Sequence, residues 1–545
     1  MTITNRKASF PHPAPVRLCH SWPRRPCLQA MLALGWLVAG SALAEVRALV
    51  IGIDAYQHGS PLKGAVSDAQ DVAQALRQLG VTDLTLRLNQ EVTRDRLVQD
   101  WRELLARSHG GDTLVLTYAG HGSQEPERVE GNEQDGKDEV LLLAGFSDKG
   151  PGTRERLVDD ELYQWFREAN DRGLELLFVA DACHSGTLTR GVDPRAGGGR
   201  VRYSAYTITD DELDLQIPTP ATGGPGGEDL PRLTFLAAGQ ENQKVPEVDL
   251  LDTQGHPSPR GALSWAFARA LEGQADQDSD ARLTRDEINR FVRANVRAIA
   301  EARQTPNLLP MSDEGRVVLP VSAATTRSAP LASHWPEARL RILASDERSA
   351  ATLAEELTGI GRVAEGEDAD LILDLRARQA ISGQGDVLAR DLVRPALQTL
   401  IDKWRGLEKL KFERLGDRLT MRVLPNDGTH RQGEEMAFEI DDIRLPYLVF
   451  FSLSGDGTLN FHYPLPDDPE TLPQGRPVKV DFKVTPPYGA DHIIAVASDQ
   501  SLGELTALLR SLDGKPAPRP AVEAVIAAIR QGRRQLGLQG LYTAP

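Results

Sequence analysis

The stretch ELLFVADACHSG, residues 175–186, decides how the chain folds. Its first half is an apolar run of the kind that forms a buried strand, and its second half consists of small and polar residues suited to a tight turn. Cys183 is therefore expected just beyond the end of a strand. The stretch DTLVLTYAGHG, residues 112–122, has the same design and runs out into His121. A cysteine and a histidine at two strand ends are the skeleton of a thiol nucleophile and its base.

The segments around these two stretches alternate between strand and helix patterns. Residues 45–53 read as a buried strand, residues 65–79 as an amphipathic helix that stops at Gly80, and residues 84–88 as a short strand. Such alternation predicts an α/β fold with a mostly parallel sheet flanked by helices. Sites in these sheets form at the carboxyl ends of the strands, which is where the histidine and the cysteine are expected.

The remainder of the chain predicts smaller units. Residues 321–336 form a linker rich in Ala, Ser, Thr and Pro, and residues 337–410 form a small α/β region. Short strands separated by turns predict a β-rich, sandwich-like module over residues 411–500. A helical tail is expected over residues 501–545.

Residues 1–44 have the features of a secretory signal. Arg24 and Arg25 precede an apolar run over residues 30–39, and residues 41–44 supply a small-residue cleavage site. This pattern predicts a cleaved signal peptide and a secreted or periplasmic protein with no stable membrane anchor. The alternative is an uncleaved N-terminal anchor, although the run of about ten residues is short for a bilayer.

The chain is acidic, with a formal net charge of -16, and loss of the five basic residues of the leader would bring it to -21. This charge excludes nucleic acid as a partner and favours basic substrates or cations. Cys19 and Cys27 leave with the leader, so Cys183 becomes the one thiol of the mature chain and no internal disulfide can form. A buried, inert cysteine is the alternative to a reactive one.

The sequence around the histidine and the cysteine resembles a known family. YAGHGS at residues 118–123 and DACHSG at residues 181–186 resemble the dyad motifs of caspase-like peptidases, and most closely those of metacaspases. Three further stretches resemble metacaspase motifs: LKGAVSDA at 62–69, QDGKDE at 134–139 and VDDEL at 158–162. The resemblance covers roughly residues 45–320 and implies a caspase-like catalytic domain of the bacterial kind. More weakly, residues 447–466 resemble an uncharacterised module found beside bacterial caspase-like peptidases.

The resemblance implies a cysteine endopeptidase that acts on peptides or proteins and needs no cofactor for its chemistry. Cys183 would supply the thiolate, and His121 would orient it and protonate the leaving amine. The backbone N–H groups of Gly122 and Cys183 would bind the oxyanion of the tetrahedral intermediate.

The resemblance also implies specificity for Arg or Lys at P1, the residue before the cleaved bond. Asp68 and Asp181 match the acidic residues of the metacaspase P1 pocket, and a carboxylate pair can bind a guanidinium bidentately. Ser123 is a further candidate for the same pocket. The alternatives are that Asp68 stabilises the start of a helix and that Asp181 is a turn residue.

Two acidic sets make Ca²⁺ a candidate activator. The resemblance implies a calcium site at Asp138, Asp159 and Asp160, but Arg190 stands where the family has a further acidic ligand. The second set follows EF-hand spacing and comprises Asp276, Asp278, Asp280, Thr284 and Glu287. In this set Ala281 replaces the glycine of the sharp turn, and the alternative is a surface turn followed by a helix capping box.

The long loop after Cys183 carries Arg190, Arg195, Arg200 and Arg202, which an Arg-specific enzyme could cleave in its own chain. The alternative is a plain flexible loop. Together these features predict a secreted or periplasmic, self-processing cysteine endopeptidase. The main alternative for the whole protein is a catalytically silent caspase-like scaffold that acts in binding or sensing.

Overall fold

The computed structural model describes residues 44–128, 136–183, 201–215, 230–240, 243, 245–251, 257–301, 303–310, 312–321, 335–425, 429–469, 471–472 and 476–545. The predicted signal peptide up to residue 43, most of the predicted linker, and Arg190, Arg195 and Arg200 lie outside these residues. Within them, no helix has the length and apolar character that crossing a bilayer requires.

The first part of the chain alternates strands and helices as the sequence predicts. Its elements are β1 (Val46–Gly52), α1 (Ala65–Gln78), β2 (Asp83–Leu88), α2 (Arg94–Arg107), β3 (Thr113–Ala119), β4 (Gly122–Pro126), β5 (Lys137–Leu142), β6 (Lys149–Gly150), β7 (Arg156–Val158), α3 (Asp159–Asp171), β8 (Glu175–Asp181), β9 (Asp210–Asp211), β10 (Leu233–Ala237), β11 (Glu247–Leu251), β12 (Pro257–Gly261), α4 (Ala262–Arg269), β13 (Arg282–Thr284), α5 (Arg285–Ile299), β14 (Asn307–Leu309) and β15 (Val317–Pro320).

Six of these strands form the central sheet, in the order β14-β10-β8-β3-β1-β2. The five strands from β10 to β2 are mutually parallel, and only β14 runs antiparallel to its neighbour. The prediction of an α/β fold with a mostly parallel sheet is therefore confirmed. In the centre, β3 pairs with β8 so that Ala119 lies opposite Asp181. The two chains leave the sheet side by side at its carboxyl edge.

Each face of the central sheet is buried under its own apolar core. One core takes Leu114 and Leu116 from β3 and Phe178 from β8, and it is covered by α2 and α3. The other takes Val115 and Leu177 from the same strands and is covered by α1, α4 and α5. Burial on both faces explains why β3 and β8 are continuous apolar runs rather than alternating ones.

A hairpin made of β11 and β12 stands outside the central sheet and faces the start of α1. Its two strands pair antiparallel, with Glu247 opposite Gly261. The backbone N–H of Gly64, the residue before α1, donates to the Glu247 carboxylate at 2.8 Å. A Cβ at Gly64 would lie 2.8 Å from backbone atoms of Pro259 and Arg260, so the hairpin can approach this closely because residue 64 has no side chain.

The second part of the chain comprises a mixed α/β region and a β-rich region. Their elements are β16 (Ala338–Leu343), α6 (Glu347–Glu356), β17 (Ile360–Arg362), β18 (Leu371–Asp374), β19 (Gln379–Ser382), β20 (Val387–Ala389), α7 (Leu397–Leu410), β21 (Thr420–Leu424), β22 (Thr429–Arg431), β23 (Glu435–Asp441), β24 (Tyr447–Leu453), β25 (Leu459–Tyr463), β26 (Val478–Lys483), β27 (Ala490–Ser498), α8 (Gly503–Ser511), α9 (Pro518–Ile529) and β28 (Arg534–Ala544).

The β-rich region is a sandwich of two sheets. The strands β21, β23 and β26 form one sheet, and β22, β28, β27, β24 and β25 form the other. Side chains of both sheets, among them Phe438 and Phe450, share one apolar core. The outer face of the larger sheet is covered by α7, α8 and α9 through a second core.

The prediction of a helical tail is correct only for the first part of residues 501–545. The helices α8 and α9 occupy that part, but Arg534–Ala544 form β28, which pairs with β27 from Arg534 to Tyr542. This strand completes the larger sheet of the sandwich. The prediction of a helix failed here because the strand forms by pairing with β27, which lies more than thirty residues earlier in the chain.

Candidate active site

His121 lies just beyond the end of β3, and its ring is nearly fully buried. The Nε2 atom is 2.8 Å from the carbonyl oxygen of Ser60, which can only accept, so Nε2 carries the proton and Nδ1 is the basic nitrogen. Within the described residues, Nδ1 is buried and has no hydrogen-bond partner. Burial lowers the pKa of His121, so the imidazole is neutral and its Nδ1 can accept a proton.

Two tyrosines fix the backbone at His121. The backbone N–H of His121 donates to the Tyr56 hydroxyl at 2.7 Å, and the Tyr118 hydroxyl donates to the His121 carbonyl oxygen at 2.8 Å. The ring of Tyr56 also lies against the imidazole, with ring centroids 4.7 Å apart. These contacts hold the ring at the carboxyl edge of the sheet.

Cys183 follows the end of β8 and has no exposed surface. The backbone N–H of Val245 donates to its Sγ at 3.0 Å. Burial raises the pKa of the Cys183 thiol to about 12, and the contact with Val245 and the charge of Arg202 offset this only in part. In this conformation the residue is a neutral thiol rather than a thiolate.

Two backbone N–H groups converge on one carbonyl oxygen beside the thiol. Gly122 and Cys183 donate to the carbonyl oxygen of Arg202 at 3.0 Å and 3.1 Å. A Cβ at Gly122 would overlap the carbonyl oxygen of Cys183, so only glycine allows this close approach. The two donors predicted to form an oxyanion site therefore bind the same oxygen.

The side chain of Arg202 fills an acidic pocket next to these donors. Its guanidinium forms an ion pair with Asp68, and it lies 3.4 Å from Asp181 and 3.6 Å from Glu247. All four side chains have no exposed surface. The backbone N–H groups of Gly261 and Ser264 donate to Asp68 and Asp181 at 2.8 Å each and orient the two carboxylates.

Three carboxylates around one guanidinium leave an excess of negative charge. Burial raises the pKa of Asp68 to about 8; Arg202 opposes this shift and Asp181 adds to it. Burial lowers the pKa of the Arg202 guanidinium, but the three carboxylates outweigh it and the net shift is upward. The pocket therefore holds a cation that keeps its proton, and its three carboxylates can carry more negative charge than this one cation neutralises.

The backbone around Arg202 pairs with the rim of the site as an extended peptide would. The Arg202 N–H donates to Val245 O at 2.9 Å, and Ser204 N–H donates to Gly122 O at 3.2 Å. Ser123 does not reach the guanidinium by any described contact. Its hydroxyl donates to the Ser204 carbonyl oxygen at 2.7 Å.

Glu247, Val245 and Ser60 complete the site and were not found from the sequence, which named Arg202 only as a self-cleavage candidate and not as the residue that fills the pocket. Glu247 lies 183 residues from its backbone partner Gly64, and Arg202 lies 134 residues from Asp68. No local pattern marks such contacts. The one available signal was the arginine-rich composition of the loop after the nucleophile.

The first acidic set lies at the junction of β5 and α3. Asp138, Asp159 and Asp160 are all buried. Within the described residues, Oδ1 of Asp138 and Oδ2 of Asp159 are buried without a hydrogen-bond partner. Burial, reinforced by neighbouring carboxylates, raises the pKa of Asp138 to about 7 and that of Asp159 to about 9. Buried carboxylate oxygens that lack donors suit a hard cation.

In the second acidic set, three of the five predicted ligands converge. Carboxylate oxygens of Asp276, Asp278 and Glu287 lie within 4.8 Å of one another. The capping box is also present, because Glu287 accepts from the N–H of Thr284 and Thr284 accepts from the N–H of Glu287. Asp280 instead accepts from the N–H of Arg282 and does not join the convergent group of carboxylates.

Comparison with known proteins agrees with this geometry. Residues 46–190 match the family model described as the metacaspase, peptidase C14 domain. Metacaspase-1 of Eremothecium gossypii is 31% identical over 272 residues, 42% of this chain and 58% of the relative. Metacaspase-1 of Pyricularia oryzae is 30% identical over 150 residues, 26% of this chain and 36% of the relative. Metacaspase-1 of Ajellomyces capsulatus is 26% identical over 280 residues, 44% of this chain and 76% of the relative.

Among solved structures, a Geobacter sulfurreducens protein aligns over 49% of this chain and 92% of its own, with 21% identity and a TM-score of 0.34. The chain spans about a third of the length of the Pyricularia relative and somewhat over half of the Eremothecium one. Residues 46–190 are thus similar to the metacaspase, peptidase C14 domain, the resemblance that the motifs around His121 and Cys183 predicted.

The buried, neutral thiol leads to a prediction about reactivity. Alkylation of Cys183 by iodoacetamide at pH 8 should be slower by about three orders of magnitude in the folded protein than in the unfolded chain, because the thiolate fraction is that much smaller. Peptide mapping by mass spectrometry would follow this residue alone. Equal rates in the folded and unfolded wild-type chain would contradict the buried state.

Proposed function

We propose that this protein is a cysteine endopeptidase that cleaves peptide bonds after Arg or Lys. The observation that carries the proposal is Arg202: its side chain fills the acidic pocket while its carbonyl oxygen accepts from Gly122 and Cys183. A basic side chain and a peptide carbonyl thus occupy a pocket and an oxyanion site at once. The acidic chain as a whole also favours basic substrates.

The chemistry assigns one role to each residue. The sulfur of Cys183 attacks the carbonyl carbon of the P1 residue as its proton passes to Nδ1 of His121. The N–H groups of Gly122 and Cys183 stabilise the negative oxygen of the tetrahedral intermediate. The C–N bond then breaks, and His121 returns the proton to the departing amine. Water, deprotonated by the same nitrogen, hydrolyses the thioester and regenerates the thiol.

Ser60 orients the base in this scheme. Its carbonyl oxygen accepts from Nε2–H of His121, so the basic nitrogen is always Nδ1. The lowered pKa of His121 keeps that nitrogen unprotonated at neutral pH. A hydrogen bond to a backbone carbonyl does the work that a third side chain does in a catalytic triad.

We further propose that the chain processes itself at the Arg202–Tyr203 bond. The segment around Arg202 already has the pairing of a bound peptide: its N–H donates to Val245, and Ser204 donates to Gly122. Until that segment leaves, an external substrate meets a filled pocket. The resting protein is therefore latent rather than silent.

We also propose Ca²⁺ as an activator and export as the destination. The support for Ca²⁺ is the pair of buried oxygens at Asp138 and Asp159, and the convergent group at Asp276, Asp278 and Glu287. When bound, the cation would neutralise carboxylates that burial otherwise disfavours. The support for a secreted or periplasmic location is the signal-like pattern of residues 1–44.

Hydrolysis of fluorogenic peptides tests the activity. Peptides with Arg or Lys at P1 should be cleaved and an Asp peptide should not, and Cys183→Ala should fall to the rate of the blank. Asp68→Asn should lower kcat/KM for the Arg peptide by at least about tenfold, since it removes one charged partner of the guanidinium. Asp95→Asn, at an exposed position on α2, is the matched control. If the wild-type chain cleaved none of these peptides, that result would favour the alternative of a catalytically silent caspase-like scaffold.

Intact mass tests self-processing. The wild-type chain should yield two fragments whose masses correspond to cleavage after Arg202, and Cys183→Ala should stay whole. Arg202→Gln should also stay whole at this bond, because the amide has no charge for the pocket. Arg202→Lys should be cleaved more slowly. Cleavage of the Arg202→Gln chain between residues 202 and 203 would refute the assignment.

Calcium titration tests the activator. Ca²⁺ at millimolar concentration should raise Tm and accelerate self-processing, and EDTA should reverse the rise in Tm. Asp159→Asn should lose the effect if the first set binds the cation, and Asp276→Asn should lose it if the second does. Retention of the full effect by both variants would exclude both sets.

A further inference from the structure

The second half of the chain contacts the acidic pocket, and the contacts lie on the β11–β12 hairpin. Asp249 lies two residues along β11 from Glu247, so the two carboxylates are on the same face of the strand. Nη2 of Arg339, the second residue of β16, donates to Oδ2 of Asp249 at 2.7 Å. Nε2 of Gln384 donates to the backbone carbonyl oxygen of Glu247 at 3.3 Å.

Arg339 is itself held in place by its own region. Its guanidinium donates to Oδ1 of Asp370 through Nε and Nη2, at 3.1 Å and 2.5 Å. Its backbone N–H donates to the second oxygen of the same carboxylate at 2.7 Å. Asp370 is nearly buried, which makes these contacts stronger than those of an exposed pair. The cation that reaches Asp249 is therefore fixed in direction.

The second half of the chain also meets the first part at a second place, through the residue after α7 and through β28. Lys411 forms an ion pair with Glu301 at 3.0 Å, and the Tyr542 hydroxyl donates to the other oxygen of Glu301 at 2.6 Å. Arg297 of α5 donates to the side chain of Gln539 at 3.1 Å. The two halves of the chain therefore share a second junction besides the one at the hairpin.

On the pocket side, Glu247 is positioned for a guanidinium. Oε1 accepts from the N–H of Gly64 at 2.8 Å and lies 3.6 Å from Nη2 of Arg202, and Oε2 accepts from the N–H of Lys63 at 3.1 Å. The side chain is fully buried. Its orientation depends on two neighbours: the loop before α1 and the strand β11 from which it projects.

We propose that residues 337–389 act on the specificity pocket from outside it: Arg339 is a positioning residue that, through Asp249, sets the orientation of Glu247, a carboxylate beside the P1 cation. This inference rests on the proposed function and gives a role to the second half of the chain. Arg339 touches neither the substrate nor the thiol. Its effect is on the binding of the basic side chain, not on the transfer of a proton or the stability of the oxyanion.

Steady-state kinetics of the full-length chain, in the form that hydrolyses the Arg peptide, tests the proposal. Asp249→Asn and Arg339→Ala should each raise KM for that peptide about threefold to fivefold, the value of a partly exposed ion pair, with kcat unchanged. The Ki of agmatine, a small guanidinium probe, should rise by the same factor. The double variant should be no worse than either single one, because both remove the same contact.

Three further variants set the limits of this test. Arg339→Lys keeps a cation for Asp249 and should restore KM to within about twofold of wild type. Glu247→Gln keeps one acceptor oxygen, in the position that both the Gly64 and the Lys63 N–H groups reach, but loses the charge, and it should raise KM and the agmatine Ki by about tenfold. Asp368→Asn is the matched control: Asp368 pairs with Lys63 across the same boundary, but both side chains are half exposed, so neither constant should change.

Two results would overturn the inference while leaving the proposed peptidase intact. One is a wild-type KM and agmatine Ki in both Asp249→Asn and Arg339→Ala. The other is a fall in kcat at unchanged KM, which would mean a loss of general stability or of catalytic geometry. If the wild-type chain hydrolysed no Arg or Lys peptide, the proposed function itself would fail and would take this inference with it.

Discussion

The pairing of β3 with β8 is the constraint on which the site depends. In a parallel pair both chains run in the same direction, so Ala119 and Asp181, which lie opposite each other, end their strands at one edge. His121 and Cys183 each follow two residues later. The register is fixed by burial on both faces, because Leu114 and Val115 enter different cores. A slip of one residue would exchange the two faces and separate the base from the thiol.

The state in which Arg202 fills the acidic pocket depends on a balance between the cost of burying charged groups and the attraction between opposite charges. Taking the guanidinium of Arg202 out of water is costly, and the structure offsets this cost with Asp68, Asp181 and Glu247. Those carboxylates in turn need a cation, which explains why an empty pocket would be the less stable state. Burial raises the pKa of Asp68 and the Arg202 guanidinium opposes this rise, so the carboxylate and the guanidinium each help the other to keep its charge.

The sequence was sufficient to predict those features that a run of consecutive residues determines. Apolar runs that end in GHG and ACHSG predicted the two strands and their parallel pairing, and with them the placement of His121 and Cys183 at one edge of the sheet. It was insufficient where a residue acquires its role from a distant partner. Glu247 has no motif around it, and its contacts to Lys63 and Gly64 arise only when the hairpin folds back on α1. In the same way, β28 follows two helices in the chain, and it is its pairing with the distant strand β27 that makes it a strand.

A peptide that is part of the same chain differs from a free one in its concentration at the site. Arg202 is nineteen residues from Cys183 in sequence, so the segment that carries it cannot diffuse away from the pocket. A covalent link keeps the effective concentration of a segment at its site high, on the order of millimolar for short linkers. Under the proposed function, a free substrate would have to compete against this resident peptide at about that level. Cleavage after Arg202 would then open the pocket only once the new chain end moved out, so the departure of residues 201 and 202, rather than the cut itself, would change which peptides the pocket can hold.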